Sequence, residues 1–153
     1  MDEQEITYFK DAFILAEQEF YLESISKFEK LIKEFPESEL ADDSYYNIGL
    51  CYFHMNQLED AIHAFENIMT YYPDATISTL DSDQEFGKTA AKAYLGMVNC
   101  YLGLDNPEKA KETAEFIKAY DDDTYVLIDG KKSTFEELAQ ESISKYDELI
   151  RNQ

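Results

Sequence analysis

The 153-residue chain contains no tryptophan, two cysteines, three prolines and five glycines. Few glycines and prolines leave few turn signals, which favours long helices over many short strands. No stretch reaches the ~18 consecutive apolar residues of a transmembrane helix, so we expect no membrane insertion. Apolar residues still make up 44% of the chain. That is enough for one domain with a packed core rather than a disordered chain.

Basic residues are scarce, with 13 Lys and Arg against 33 Asp and Glu and a formal net charge of −20. A surface this acidic repels phosphate backbones and anionic lipid headgroups, so nucleic acid and membrane surfaces are disfavoured as partners. Basic protein segments would be attracted instead. An equally simple interpretation is that the charge only keeps the protein soluble.

The N-terminal residues 1–5 are acidic and lack the basic and apolar regions of a secretory signal. We therefore expect a cytoplasmic protein, or a periplasmic one if a signal peptide has been removed.

Residues 42–75 carry large and small side chains at a fixed spacing. The positions that define it are Tyr45, Ile48, Gly49, Tyr52, Ala61, Phe65, Ile68 and Pro73. The first four share one face of a helix, because a helix has about 3.6 residues per turn. Pro73 would end a second helix, since proline lacks an N–H donor. The spacing resembles that of the tetratricopeptide repeat (TPR), in which W-x-x-L-G-x-x-Y is followed by A-x-x-x-F and a proline.

Two weaker copies of the pattern flank this repeat, at residues 5–38 and 91–124. The first copy has in register Tyr8, Ala12, Leu15, Phe28, Leu31 and Pro36. The last copy has Tyr94, Met97, Val98, Tyr101, Ala110 and Ile117. Asp11 and Ser24 depart from the pattern in the first copy, and Ala114 and Asp122 depart from it in the last.

The resemblance to the TPR family therefore covers three repeats in a single domain, residues 1–153, with an insertion at 76–90. It implies an all-α fold, a right-handed superhelix of helix-turn-helix repeats. The phrase Glu34-Phe35-Pro36-Glu37-Ser38 is similar to one found in bacterial cell-envelope assembly TPR proteins, which indicates a bacterial source.

Apolar periodicity predicts helices at about 5–18, 21–34, 41–54, 57–71, 83–103, 107–120 and 134–151. Ser82 and Glu85 have the spacing of a capping box, so the fifth helix is expected to begin inside the insertion.

The segment 125–131 is rich in β-branched and aromatic residues and contains Asp129-Gly130, a turn signal. It predicts an extended connector or a short strand. Ser133 and Thr134 then begin a last helix, whose apolar stripe would cover the bare face of the third repeat. The alternative is that this helix joins two copies of the chain.

Two histidines and two cysteines are candidates for catalysis or metal binding. His54 and His63 lie on different predicted helices, and no recognised motif sets a nucleophile or a carboxylate beside either of them. Cys51 and Cys100 occupy the same position of two repeats and lack CxxC spacing, so we interpret both as small buried apolar groups.

Asp81, Asp83 and Glu85 resemble the start of a calcium loop. Phe86 stands where such a loop requires glycine, and Lys92 where it requires a coordinating Glu, so a calcium site is not predicted. The acidic run 121–123 is interpreted as solvated residues after a helix end. The sequence also has no glycine-rich phosphate loop. From these observations together we predict no catalytic residue, no metal and no cofactor, and therefore not an enzyme.

In the TPR family, a second stripe of each repeat's first helix lines a concave groove that holds partner peptides. By this resemblance the groove residues are Phe9, Phe13, Tyr46, Asn47, Leu50, Phe53, Lys92, Leu95, Asn99 and Leu102. Chaperone-binding members use Lys, Arg and Asn there to clamp a C-terminal carboxylate. Most of these positions are aromatic or aliphatic in this chain, so the clamp is not expected. The groove suits an apolar stretch or an amphipathic helix. Alternatively, these side chains pack on each other or beneath the chain's own termini.

Two hypotheses for function follow. The first is a non-catalytic protein–protein interaction module or scaffold that binds an apolar or amphipathic-helical protein segment with basic flanks. The second is a homo-oligomeric TPR protein that self-assembles through its last helix or the stretch 125–128.

Overall fold

A computed structural model describes residues 1–120 and 122–153. Within these ranges the chain forms seven α-helices and three short strands. The helices are α1 (Glu3–Glu17), α2 (Tyr21–Glu34), α3 (Ala41–His54), α4 (Leu58–Tyr71), α5 (Thr89–Gly103), α6 (Pro107–Ile117) and α7 (Phe135–Arg151). The strands are β1 (Glu85–Phe86), β2 (Tyr125–Ile128) and β3 (Lys131–Thr134).

Helices α1 to α6 form three antiparallel pairs that stack on one another. The partners α1 and α2, α3 and α4, and α5 and α6 pack together, and α2 packs on α3 as α4 does on α5. One residue with a positive φ makes the turn inside each pair: Glu19, Asn56 and Asp105 at +66°, +59° and +59°. All three stand at the same position of the predicted repeats. The helix-turn-helix superhelix expected from the sequence is confirmed.

Phe65 holds the second and third pairs together. Its side chain is fully buried and lies between two glycines, Gly49 on α3 and Gly96 on α5. A Cβ atom at Gly49 would lie 2.4 Å from Cε1 of Phe65, and one at Gly96 would lie 2.7 Å from Cε2. The repeat pattern therefore keeps glycine in these helices so that an aromatic ring can pack directly against their backbones.

Substitution of Gly49 by alanine is expected to destabilise the fold by about 1–3 kcal/mol, because the new methyl group overpacks the buried Phe65 ring. Gly103→Ala is the matched control. Its Cβ would meet a terminal methyl of Leu58 at 2.8 Å, an atom at the end of a flexible side chain, and Gly103 itself is exposed. Urea denaturation of both variants checks this, and equal losses of stability would contradict the packing argument.

The insertion differs from its prediction. Helix α5 begins at Thr89, not at 83, and Glu85–Phe86 is a strand instead of the first turn of a helix. The capping box predicted at Ser82 and Glu85 is therefore wrong. Residues 76–88, called here the covering loop, close on themselves where Thr76 bridges Lys88.

A small sheet joins the covering loop to the segment before α7. Strand β2 pairs antiparallel with β1 on one side and with β3 on the other. Asp129 and Gly130 make the β2–β3 turn with φ of +52° and +78°, which is why the sequence needs Asp-Gly there. The ring of Phe86 stacks on that of Tyr125 with 5.1 Å between centroids. The predicted short strand is confirmed, but its partner β1 was not expected.

Helix α7 closes the stack at its C-terminal end. Thr134 caps it by accepting a hydrogen bond from the backbone N–H of Glu137 at 3.1 Å. Its inner face buries Phe135, Ala139 and Ile143 against α5 and α6. Helix α6 ends at Ile117, three residues before the predicted 120. Both segments considered for self-assembly, α7 and β2, thus have partners within the chain.

Candidate functional site

The concave face of the stack is formed by α1, α3 and α5, and its exposure varies from repeat to repeat. Seven of the ten predicted groove residues are half-buried there: Phe13, Tyr46, Leu50, Phe53, Leu95, Asn99 and Leu102. The other three, Phe9, Asn47 and Lys92, are buried.

Phe9 does not line the groove. It is 1% exposed and packs edge-on against Phe28 of α2, with 5.5 Å between the ring centroids. It therefore belongs to the core of the first repeat, and its interpretation as a groove residue needs correction. Leu95 and Leu102 also pack on the cluster that α7 closes, which limits what they offer to a partner.

An apolar cleft lies between α1 and α3 in the first two repeats. Its volume is about 230 Å³. The lining residues are Phe13, Ala16, Glu17, Tyr21, Asn47, Leu50, Cys51 and His54. Phe13 and Leu50 line it from the two helices.

One wall of the cleft is aromatic. The Tyr21 ring at the start of α2 stacks on the His54 ring at the end of α3, with centroids 5.6 Å apart and an interplanar angle of 15°. Glu17, an exposed carboxylate on α1, stands at the rim. The cleft thus offers an apolar floor, a flat aromatic wall and a negative edge.

The covering loop lies over the concave side of the second and third repeats. Asp81 of this loop accepts hydrogen bonds from Asn47 Nδ2 and from Lys92 Nζ, each at 2.7 Å. The backbone N–H of Ser78 donates to both carboxylate oxygens of Asp43 on α3, at 3.2 and 3.3 Å. The chain itself therefore occupies this part of the predicted groove, although with an internal loop and not with either terminus.

Lys92 is the centre of this contact. Its side chain is 5% exposed, and its Nζ lies 2.8 Å from Glu85 Oε1 and 4.0 Å from the centroid of the Tyr46 ring. Burial alone would lower the pKa of Lys92, but Tyr46, Asp81 and Glu85 outweigh it and raise that pKa. Lys92 is therefore a charged, internally paired group and not a free cation of the groove.

Two adjacent carboxyl groups lie beneath the covering loop. Asp42 and Asp43 are each 1% exposed. Burial raises the pKa of Asp42 to about 6, although a hydrogen bond from Thr89 lowers it in part. Burial, together with the charges of Asp42 and Asp81, raises the pKa of Asp43 to about 9. Both shifts favour the protonated carboxyl and so reduce the negative charge beside Lys92.

Residues 1–120 and 122–153 contain no cluster of His, Cys, Asp and Glu suited to holding a metal ion. None of the helices in the same ranges is long and apolar enough to cross a membrane. Cys51 and Cys100 are both free and buried. Burial raises the pKa of Cys100 to about 12. Of the acidic run 121–123, residue 121 lies outside the described part of the chain.

Residues 43–74 match the family model of the tetratricopeptide repeat. The match covers the helix pair α3–α4, and the pairs on either side repeat its geometry. The chain folds as a tetratricopeptide-repeat domain.

Solved TPR structures share this architecture at low sequence identity. The first TPR of Spaghetti (RPAP3), bound to the HSP90 peptide SRMEEVD, is 14% identical with a TM-score of 0.66, and the match covers 99% of this chain and 96% of that one. The TPR domain of Arabidopsis FLU is 15% identical with a TM-score of 0.60, over 76% and 93% of the two chains.

The Hsp90 co-chaperone Cns1 from Saccharomyces cerevisiae is 15% identical with a TM-score of 0.67, over 99% of this chain and 43% of that one. Among curated proteins, none matches the sequence. At these identities the likeness establishes the fold alone.

Several residues of the site were not found from the TPR pattern. Tyr21 belongs to the second helix of its repeat, and His54 ends α3 beyond the stripe used for the groove. Asp81 and Glu85 lie in the insertion, where the pattern has no positions. Only their charge, opposite to that of Lys92, signalled a contact in the sequence.

Proposed function

We propose that this domain is a non-catalytic interaction module that binds an apolar or amphipathic-helical protein segment in the cleft between α1 and α3. TPR domains are protein–protein interaction modules, and the cleft is an accessible part of the concave face that borders the covering loop at Asn47. The single observation that carries the proposal is the cavity of about 230 Å³ floored by Phe13 and Leu50.

The chemistry of the cleft indicates which segment it binds. A cavity of this size holds one or two large apolar side chains, and each anchor contributes roughly 1.5–3 kcal/mol when buried. Two anchors together contribute roughly 3–6 kcal/mol, less than the ~8.2 kcal/mol of a micromolar complex, so contacts outside the cavity must contribute the rest. Glu17 at the rim and the net charge of −20 favour Lys or Arg beside the anchors.

A random-peptide selection against the folded domain provides a probe even though the natural partner is unidentified. We expect the selected sequences to combine large apolar residues with Lys or Arg. Sedimentation of the sample beforehand confirms that the binding species is a monomer. A selection that returns acidic sequences would contradict the proposed chemistry.

The double variant Phe13→Ala, Leu50→Ala is expected to lower the affinity for the selected peptide by at least about tenfold, because both apolar anchors of the peptide lose their contacts in the cleft. Ile14→Ala is the matched control. Ile14 follows Phe13 on the same helix but is 51% exposed and does not line the cleft.

Fluorescence anisotropy measures the affinities, and circular dichroism confirms that each variant is folded. A folded double variant that binds the peptide as tightly as the parent chain would refute the assignment of the cleft.

A further inference from the structure

The covering loop makes an unusual contact for a surface loop, because it places a carboxylate between two buried donors. Asn47 Nδ2 and Lys92 Nζ approach the two oxygens of Asp81 separately, each at 2.7 Å. The Asp81 side chain is 4% exposed. A charged group with so little exposure needs such donors, since burying it unpaired would cost several kcal/mol.

These donors belong to the concave face and not to the loop. Asn47 lies on α3 and Lys92 on α5, so the pair spans the second and third repeats. Their side chains converge from two rigid helices on one point, which makes them a preformed carboxylate-holding site. Asp81 reaches that point from a segment which is not part of any repeat.

We propose that Asp81 is a built-in ligand that determines specificity: it fills the carboxylate site of Asn47 and Lys92 and closes it to acidic partner segments. With Lys92 neutralised from within, the face keeps the carboxylates of Asp81, Glu85 and the exposed Asp83. A partner carboxylate that approached this region would meet negative charge and no free donor. The carboxylate site shares Asn47 with the cleft, but its cation, Lys92, lies on α5 and outside the cleft, so acidic-peptide binding tests it separately from the cleft.

The test uses the full chain and an acidic peptide, SRMEEVD. The carboxylate-free probe is the same peptide with Gln and Asn in place of its acidic residues and an amidated C-terminus. The parent chain is expected to bind neither peptide. Asp81→Ala, made together with Glu85→Gln because Glu85 also pairs with Lys92, empties the site. This variant is expected to raise affinity for the acidic peptide by about tenfold or more over the carboxylate-free one. Hydrogen–deuterium exchange should rise in residues 76–88 of this variant while the helices stay protected.

Asp83→Ala is the matched control, since Asp83 is a neighbouring carboxylate of the same loop that is exposed and accepts a hydrogen bond from the adjacent Gln84. The Asp83→Ala variant should bind neither peptide, as expected for the parent chain. If Asp81→Ala does not fold, Asp81→Ser takes its place, because the shorter side chain also vacates the carboxylate site, with the same expected result.

Two results would overturn the proposal. One is tight binding of the acidic peptide by the parent chain. The other is a folded Asp81 variant that prefers the acidic peptide no more than the parent does, whether or not the loop has loosened.

Discussion

Lys92→Met is expected to lower the free energy of unfolding of the domain by about 3–5 kcal/mol. Methionine keeps most of the length of the side chain but removes the cation that Asp81 and Glu85 contact at 2.7 and 2.8 Å. Breaking a buried ion pair leaves uncompensated charge in the interior, and the penalty is much larger than for an exposed pair. Urea denaturation at neutral pH measures the loss.

Lys145→Met is the matched control, because Lys145 pairs with Glu141 at 3.0 Å on the surface, where it is 71% exposed. An exposed pair of this kind contributes about 0–1 kcal/mol. Adding Asp81→Asn and Glu85→Gln to Lys92→Met should recover part of the lost stability, since no unpaired carboxylate then remains. Equal stability of the two lysine variants would show that the pairing of Lys92 is not structural.

The second large effect is a fall in stability as the pH rises. The pKa values of Asp42 and Asp43 in the folded chain, about 6 and about 9, lie above the ordinary value of 3.8. The folded chain thus binds more protons than the unfolded chain between pH ~4 and ~9. The stability that these two carboxyl groups contribute is therefore fully present below pH ~4 and is lost as the pH rises through their folded-state pKa values. Each group contributes a slope of up to about 1.4 kcal/mol per pH unit.

Asp43→Asn mimics the protonated carboxyl and should flatten this dependence, so that the variant exceeds the parent chain in stability at pH 9 but not at pH 4. The groups around Asp43 are Asp42, Asp81, Lys92 and Ser78. Lys92 stays charged across this range, because its pKa is raised above 10.5. Asp83→Asn, on the exposed side of the covering loop, is the control. A series of urea denaturations from pH 4 to 9 in which the Asp43 variant keeps the slope of the parent would contradict the account.

The repeat architecture could be predicted because its determinants are local. Gly49 and Phe65 are close in sequence and pack against each other within one repeat, so a spacing rule captures their contact. Thr134 and the Asp129-Gly130 turn are likewise local signals, and both the cap and the turn form as predicted, although strand β3 after the turn was not predicted. Such signals act over a few residues and survive the degeneracy of the outer repeats.

The covering loop could not be predicted for the opposite reason. Strand β1 exists because Glu85 and Phe86 pair with Val126 and Tyr125, residues far along the chain. Pairing of this kind outweighs the local capping-box signal at Ser82, which by itself favours a helix. The contact of Asp81 with Asn47 depends on the same long-range folding, so no local pattern indicates it.

The candidate groove was predicted in part for a related reason. Phe13 and Leu50 lie on the expected stripe and reach the cleft. Phe9 lies on the same stripe but turns into the core, since Phe28 of α2 packs against it. Helical periodicity predicts which face of a helix a residue lies on. Whether a residue at the border between two faces is buried depends on how the neighbouring helix packs against it.

These observations describe a concave face divided in two. The covering loop fills its second half through Asp81 and Lys92, and the cleft around Phe13 and Leu50 stays open in its first half. Under the proposed function, this division confines an apolar segment to the first half of the face.

Chemical-shift mapping of the isotope-labelled domain with the selected peptide tests this division most directly. The account predicts that the largest amide shifts lie in the second half of α1, at the start of α2 and in the second half of α3. The covering loop and α7 should remain unchanged. Shifts concentrated in residues 76–88, in α7 or on the outer helices α4 and α6 would contradict it.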